Sequence, residues 1–419
     1  MKKKIKFEKA MTEQGFPLYV FPMPYATSIA IGMFVRAGTR DEEWPKQAGL
    51  AHAFEHMTFQ GNGRKKSSLE ITEEIEAVGG NMNAWTNKES TFYYRIVPDI
   101  SFETGIKSLS GQLSRPLLRK KDIEKEMKNI VEEIKRAEDN PSRLCQKIIN
   151  NIVFGNHPLR KSTLGTMESV LELKKDDFES WQESYFPGNY ILLIAGNTTL
   201  EKALKVVNKT SFKNGNKEAF KGERKFIFSL ERESKIELVE KDIKQANVCL
   251  GALVGPSSEN ESKALSMFSS MIDGGMSFPL FQEVRNKKGL CYCIDSSLSS
   301  WSDRGIFSIY IGTDINRVNE AIECIMEVVS KNKDNQALLD KTKKSLLGKN
   351  SINFCSPGNI VIRSAEDIIF FGKPRSPREI EEEVKGVNLS EITAAVEKYL
   401  NPDDFLFSFV VPKGAKIKI

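Results

Sequence analysis

The chain has 419 residues, 40% of them hydrophobic and 28% charged, with a formal net charge of +5. That length suits two domains or three, and charges of both signs are interspersed, which argues against nucleic-acid binding. No stretch approaches the roughly 18 apolar residues of a membrane span.

The basic start MKKKIKFEKAMTEQG is followed by no apolar stretch, so no secretory signal is expected. Leu18–Pro22 and Thr27–Ala37 are apolar runs rich in β-formers, separated by Met23-Pro24-Tyr25-Ala26, which predicts a hairpin or adjacent strands. The stretch Gly49 to Gly63 reads as a short helix, with Pro45 suited to its first turn and Gly61-Asn62-Gly63 as its stop. Ser67-Ser68 with Ile71, Ile75 and Val78 predicts a second helix ended by Gly79-Gly80. Asn81–Thr86 and Ser90–Val97 read as strands, Ile100–Leu113 as a helix, and Lys120–Phe154 as a helix interrupted at Pro141. Tyr190–Ala195 reads as a strand and Leu200–Val207 as a helix. Lys213–Lys225 is polar and contains glycine, so it reads as a linker between domains 1–212 and 226–419. The second half repeats the order: strands Lys235–Val239 and Ala246–Val254, helices Lys263–Ile272 and Leu280–Arg285, then strands Cys291–Ser299 and Gly305–Gly312. Helices Ala321–Ser330 and Leu338–Asn350 follow, then further helices and a closing strand Asp404–Val411. The fold class is therefore α+β, a duplicated unit of mainly antiparallel sheet packed with helices.

The first of these helices carries the chemistry. His52 and His56 are four residues apart, so both lie on one helical face with Glu55 beside them. Two imidazoles at that spacing can fill two corners of a tetrahedral zinc site, and a carboxylate next to the second can accept a proton from a water there. The order H-x-x-E-H is that of the inverzincins. The whole chain has three histidines, and two are here. The flanking Leu50, Ala51, Ala53, Phe54, Met57 and Phe59 predict a buried helix, whose ionisable groups need partners.

A third protein ligand is required. The remaining His157 follows a turn and reads as structural, which points to a carboxylate. On the helix from Lys120, Ile123, Met127, Ile130 and Ile134 form the apolar stripe. Glu132 falls on the opposite face, whereas Glu133 flanks the stripe and Glu126 lies two turns earlier on nearly the same line. Helix geometry thus favours Glu133 as ligand and Glu126 as the group that supports a ligand from behind. The six cysteines, at 145, 249, 291, 293, 324 and 355, include no CxxC pair, so they offer no rival metal site and predict reduced thiols and a cytoplasmic location.

With these residues in place the chain resembles the pitrilysin (insulinase) family of zinc peptidases, in its short-subunit branch with the mitochondrial processing peptidases. The 76 residues between His56 and Glu133 match the family spacing to its glutamate ligand, and Glu126 matches a further family glutamate. Gly79-Gly80 followed by Asn83-Ala84-Trp85-Thr86 is similar to the family's edge strand that binds substrate, with Trp85 where a Tyr is common. Leu280–Tyr292 is similar to the segment whose Arg and Tyr, here Arg285 and Tyr292, contact the substrate carbonyl or the oxyanion. Ser277-Phe278-Pro279 departs from the usual residues ahead of that segment, and Gly274-Gly275 is one glycine short. The resemblance implies one Zn²⁺ held by His52, His56 and Glu133, with Glu55 as general base. It also implies a peptide or unfolded polypeptide as substrate, a two-domain chamber, and a homodimer or a heterodimer with a related chain. Two rival classes follow: a non-catalytic member that binds peptides as a scaffold subunit, and a zinc hydrolase or lyase of small molecules. Manganese or cobalt would also suit these N/O ligands.

Overall fold

A computed structural model of the chain describes residues 6–65, 67–185, 189–212, 231 and 234–415. In chain order the first half contains β1 (Glu8–Met11), β2 (Pro17–Pro22), β3 (Ser28–Val35), α1 (Leu50–Thr58), α2 (Ser68–Glu76), β4 (Asn81–Thr86), β5 (Thr91–Pro98) and α3 (Phe102–Ser114). It continues with α4 (Lys120–Asp139), α5 (Pro141–Phe154), α6 (Met167–Glu172), α7 (Lys175–Tyr185), β6 (Tyr190–Gly196) and α8 (Leu200–Val207). The second half contains β7 (Ile236–Lys241), β8 (Ala246–Val254), α9 (Asn260–Ile272), a π-helical segment Leu280–Lys287, β9 (Cys291–Ser300) and β10 (Gly305–Thr313). It closes with α10 (Val318–Asn332), α11 (Gln336–Asn353), α12 (Pro357–Phe371), α13 (Pro377–Gly386), α14 (Leu389–Tyr399) and β11 (Leu406–Pro412).

The strands form two sheets, ordered β1-β2-β6-β3-β5-β4 and β7-β11-β8-β10-β9. With β1 set aside, the two orders are the same: first strand, last, second, fourth, third. Each sheet has one parallel pair, β2 with β6 and β7 with β11, and is otherwise antiparallel. The duplication read from the sequence is therefore a duplication of topology. One expectation is corrected: β2 and β3 are neither a hairpin nor adjacent, because β6 lies between them. The three consecutive apolar residues Leu192, Leu193 and Ile194 make β6 a strand buried on both faces, which suits the middle of a sheet and not its edge.

The compact units interleave along the chain. One comprises 1–134, 161–223 and 350–380; the other comprises 135–160, 224–349 and 381–419. The predicted linker 213–225 lies outside the described residues. In the first unit, Ile29, Ile31, Met33 and Val35 on one face of β3 join the core beneath α1 and α3, while α12 packs on the other face. It sits over Gly32, where a Cβ would come within 2.5 Å of Val361 Cγ1. In the second unit, Val248, Leu250 and Ala252 of β8 join the core, and α5 packs on the opposite face over Gly251. There a Cβ would come within 2.5 Å of Ile149 Cγ1. A glycine in the middle of a central strand thus seats one helix on each sheet, because backbone and helix can approach closely only where no side chain intervenes.

Candidate metal centre

The helix α1 begins later than its sequence suggests. Pro45 lies in the turns before it, and Gly49 occupies the N-cap position at φ +90°. Only glycine takes that conformation freely, and space also demands it: a Cβ would lie 2.7 Å from the Leu164 carbonyl oxygen. With no side chain at the cap, the first amides are satisfied from a distance. The Glu42 carboxylate, 4% exposed, accepts hydrogen bonds from the Gly49 amide at 3.1 Å and the Ala51 amide at 2.9 Å. Leu50, Ala51, Ala53, Phe54 and Met57 fill the first unit's core, which leaves His52 and His56 together on the remaining face with ring centroids 4.6 Å apart.

Helix α4 brings the carboxylate. Its Ile123, Met127, Ile130 and Ile134 are buried, Glu132 is exposed, and Glu133 is half-buried facing the imidazoles. Glu133 Oε2 lies 3.8 Å from His52 Nε2 and 3.9 Å from His56 Nε2, and one ligand atom from each of the three residues lies within 4.8 Å of the others. Those separations are too long for hydrogen bonds. They are close to the about 3.3 Å between two corners of a tetrahedral site with arms of about 2.0–2.1 Å. On its other ring nitrogen, His56 Nδ1 faces Glu126 Oε2 at 3.4 Å, and Glu126 Oε1 accepts from Asn129 Nδ2 at 3.1 Å. This carboxylate–imidazole contact fixes the tautomer that leaves Nε2 bare for a metal. His52 Nδ1 is buried and has no hydrogen-bond partner among the described residues. The donor set therefore fits a borderline-soft dication such as zinc.

The electrostatics separate the two imidazoles. Burial, with help from the neighbouring His56, drives the His52 imidazole down to about 3, which keeps it in the neutral, ligating form. Burial also lowers His56, but the Glu126 hydrogen bond and the Glu55, Glu133 and Glu126 charges outweigh it, and the net shift is upward. Glu126 is pushed up by burial and pulled further down by His56 and Asn129. Glu55, 8% exposed, is raised by burial against the opposing Thr86 hydrogen bond and the His56 charge, with Glu133 adding to the rise. A carboxyl group raised in this way holds a proton more readily than an exposed one.

Strand β4 forms one edge of its sheet and lies against α1. Asn83 is exposed, Ala84, Trp85 and Thr86 are half-buried, and Trp85 packs on Phe92 at 5.4 Å between ring centroids. Arg285 and Tyr292 belong to the second unit, where the guanidinium sits 4.6 Å above the Phe281 ring and 4.7 Å from the exposed Tyr292 ring. His157 is buried in the same unit, with Nε2 3.1 Å from Asp303 Oδ2 and Nδ1 accepting from the Leu159 amide at 3.2 Å. Both ring nitrogens serve the protein interior, as expected for a structural histidine.

The chain also matches two family models. Residues 22–167 match the insulinase (peptidase family M16) model, and residues 172–346 match the model described as the peptidase M16 inactive domain. The chain belongs to the insulinase (M16) peptidase family. It is 29% identical to the uncharacterized zinc protease YmxG of Bacillus subtilis, over 96% of this chain and 97% of that protein. It is 31% identical to an uncharacterized zinc protease of Streptomyces coelicolor, over 74% of this chain and 68% of that protein. In fold it is similar to a protease from Helicobacter pylori, with a TM-score of 0.85 and 20% identity over 97% of this chain and all of the other. A peptidase M16 inactive domain from Pseudomonas fluorescens matches equally well, with a TM-score of 0.85 and 18% identity over 99% of this chain and all of the other.

Two residues beside this M16 centre escaped the sequence reading. Glu42 caps α1 from seven residues upstream, and the acidic run Asp41-Glu42-Glu43 ahead of a helix that starts on glycine is the signal that could have shown it. Thr86 is expected on the substrate strand, but its pattern gives no sign that its hydroxyl donates to Glu55 Oε2, as it does at 2.5 Å.

Proposed function

We propose that the chain is a zinc-dependent endopeptidase acting on peptides or unfolded polypeptides. The observation that carries this reading is the convergence of His52, His56 and Glu133 from two helices, with the buried Glu55 beside them. His52, His56 and Glu133 would hold the ion, which when bound polarises a water and the scissile carbonyl. Glu126 orients His56 through Nδ1. Glu55 accepts the proton of the attacking water and delivers it to the leaving amine, a shuttle worth about 10²- to 10⁴-fold. The substrate adds as a strand beside Asn83, Ala84, Trp85 and Thr86, where the edge of the sheet offers main-chain hydrogen bonds. Arg285 and Tyr292 contact the substrate carbonyl as negative charge develops on it. The family likeness supports a homodimer, or a heterodimer with a related chain, and the six free cysteines are compatible with a reducing, cytoplasmic setting.

The test compares wild type with Glu55→Gln. Both should bind one zinc per chain by metal analysis, and only wild type should cleave a quenched unfolded peptide. Wild-type turnover by Glu55→Gln would refute the proposal, as would zinc-loaded wild type that cleaves nothing. Light scattering in solution tests the dimer.

A further inference from the structure

We propose that Thr86 is a positioning residue for Glu55, and that it ties this carboxyl group to the edge strand on which a peptide is laid. The inference rests on the peptidase reading above. The Thr86 hydroxyl has a single proton, and it is directed at Glu55 Oε2 from 2.5 Å. With Oε2 so engaged, the other carboxylate oxygen is the one left to exchange a proton with a water.

What makes Thr86 a fixed point is the structure around it. It is the last residue of β4 and pairs with Thr91 across the hairpin. Immediately beyond it, Asn87 Oδ1 accepts from the Glu89 amide at 2.8 Å, the Ser90 amide at 2.8 Å and the Ser90 hydroxyl at 3.0 Å, which closes the turn. The tip of this hairpin is held in turn by the segment ahead of α1. The Thr39 amide donates to the Asn87 carbonyl at 3.1 Å and the Arg40 amide to the Lys88 carbonyl at 2.8 Å. Arg40 Nη1 meets Glu89 Oε1 at 2.6 Å, with both side chains buried. The same segment ends in Glu42, which holds the first amides of α1. Edge strand and metal-bearing helix are therefore joined twice, once through residues 39–42 at the start of α1 and once through Thr86 at Glu55. The strand beside which a peptide is laid is thus the same element that aims the base.

A side chain that only contacts substrate, or only builds the strand, would behave differently when changed. Valine keeps the shape of threonine and its preference for strands, so Thr86→Val removes the hydroxyl and leaves the β4 backbone available to peptide. Serine restores the hydroxyl. The expected result for zinc-loaded Thr86→Val is a kcat lower by about 10- to 100-fold, the scale of one hydrogen bond to a charged group, with KM and zinc content close to wild type. Thr86→Ser should recover most of the rate. Crystal structures of the two variants without substrate give a readout independent of turnover: the Glu55 carboxyl group should leave its position in Thr86→Val and keep it in Thr86→Ser. A kcat within twofold of wild type for Thr86→Val overturns the proposal. So does a loss carried by KM alone, a Thr86→Ser variant as slow as Thr86→Val, or a Glu55 side chain unmoved in the Thr86→Val crystals. If zinc-loaded wild type cleaves no peptide, the peptidase reading fails instead, and the crystal structures still decide whether Thr86 places Glu55.

Discussion

Replacing Glu42 with alanine removes the carboxylate that accepts from the amides of Gly49 and Ala51 at the start of α1. Both residues are buried, so water cannot take its place. A buried donor left without an acceptor costs about 1–3 kcal/mol, and loss of a helix N-cap costs about 1 kcal/mol in exposed settings. Two such amides put the expected loss at about 3 kcal/mol, a large share of the about 5–15 kcal/mol that holds a domain together. Glu42→Gln keeps one acceptor oxygen, as a protonated carboxyl does, and should stay within about 1 kcal/mol of wild type in mild acid. Burial opposes the charge on Glu42 and, against the pull of the Ala51 and Gly49 amides and of Lys161 and Lys88, raises its carboxyl to about 8. The sign of the pH dependence follows. A group raised in the folded state contributes stability that is complete below its unfolded value near 4.5 and is lost as pH rises through about 8. The advantage of wild type over Glu42→Gln should therefore be greatest in mild acid and shrink toward pH 8. Urea unfolding followed by circular dichroism, repeated across that range, measures all three proteins. A Glu42→Ala variant within about 0.5 kcal/mol of wild type would refute the capping argument.

Glu126→Gln should weaken zinc binding by about 10- to 100-fold in competition with a chromophoric chelator, while Glu132→Gln on the exposed face of α4 should leave it unchanged. Gly49→Ala should cost about 1–3 kcal/mol in urea unfolding, because its φ of +90° is unfavourable for alanine and the added methyl meets the Leu164 carbonyl. Gly251→Val should lower the thermal midpoint of unfolding by displacing α5 from β8, and pairing it with Ile149→Ala should recover part of the loss.

Much of the centre was legible because helical periodicity is local. The spacing of His52 and His56 sets their common face, and the stripe Ile123, Met127, Ile130 and Ile134 separates Glu133 from Glu132 without any knowledge of the fold. Strands β4 and β8 and helix α8 have the bounds their apolar patterns predict. What the pattern could not show is pairing at long range. Nothing in Leu18–Pro22 or Thr27–Ala37 says that β6, far downstream, will come between them. Helix α7 is hard to see in the sequence although Phe178, Trp181 and Tyr185 recur at helical spacing, because the polar residues around them dominate the segment. The hairpin tip at 87–90 and the loop at 39–42 were missed for a different reason. Their contribution lies in backbone and carboxylate hydrogen bonds that leave no hydrophobic period in the sequence.

The glycine seats at Gly32 and Gly251 bear on how the protein is made. During synthesis β3 emerges early, but the helix that covers its outer face, α12, is translated only after β10 of the other sheet has left the ribosome. A nascent chain stopped at residue 212 would therefore carry a half-covered apolar sheet and need a chaperone or rapid completion to escape aggregation. By the same logic, a protease nick within 213–225 of the finished protein should yield two fragments that co-purify, since each sheet keeps a helix contributed by the other fragment.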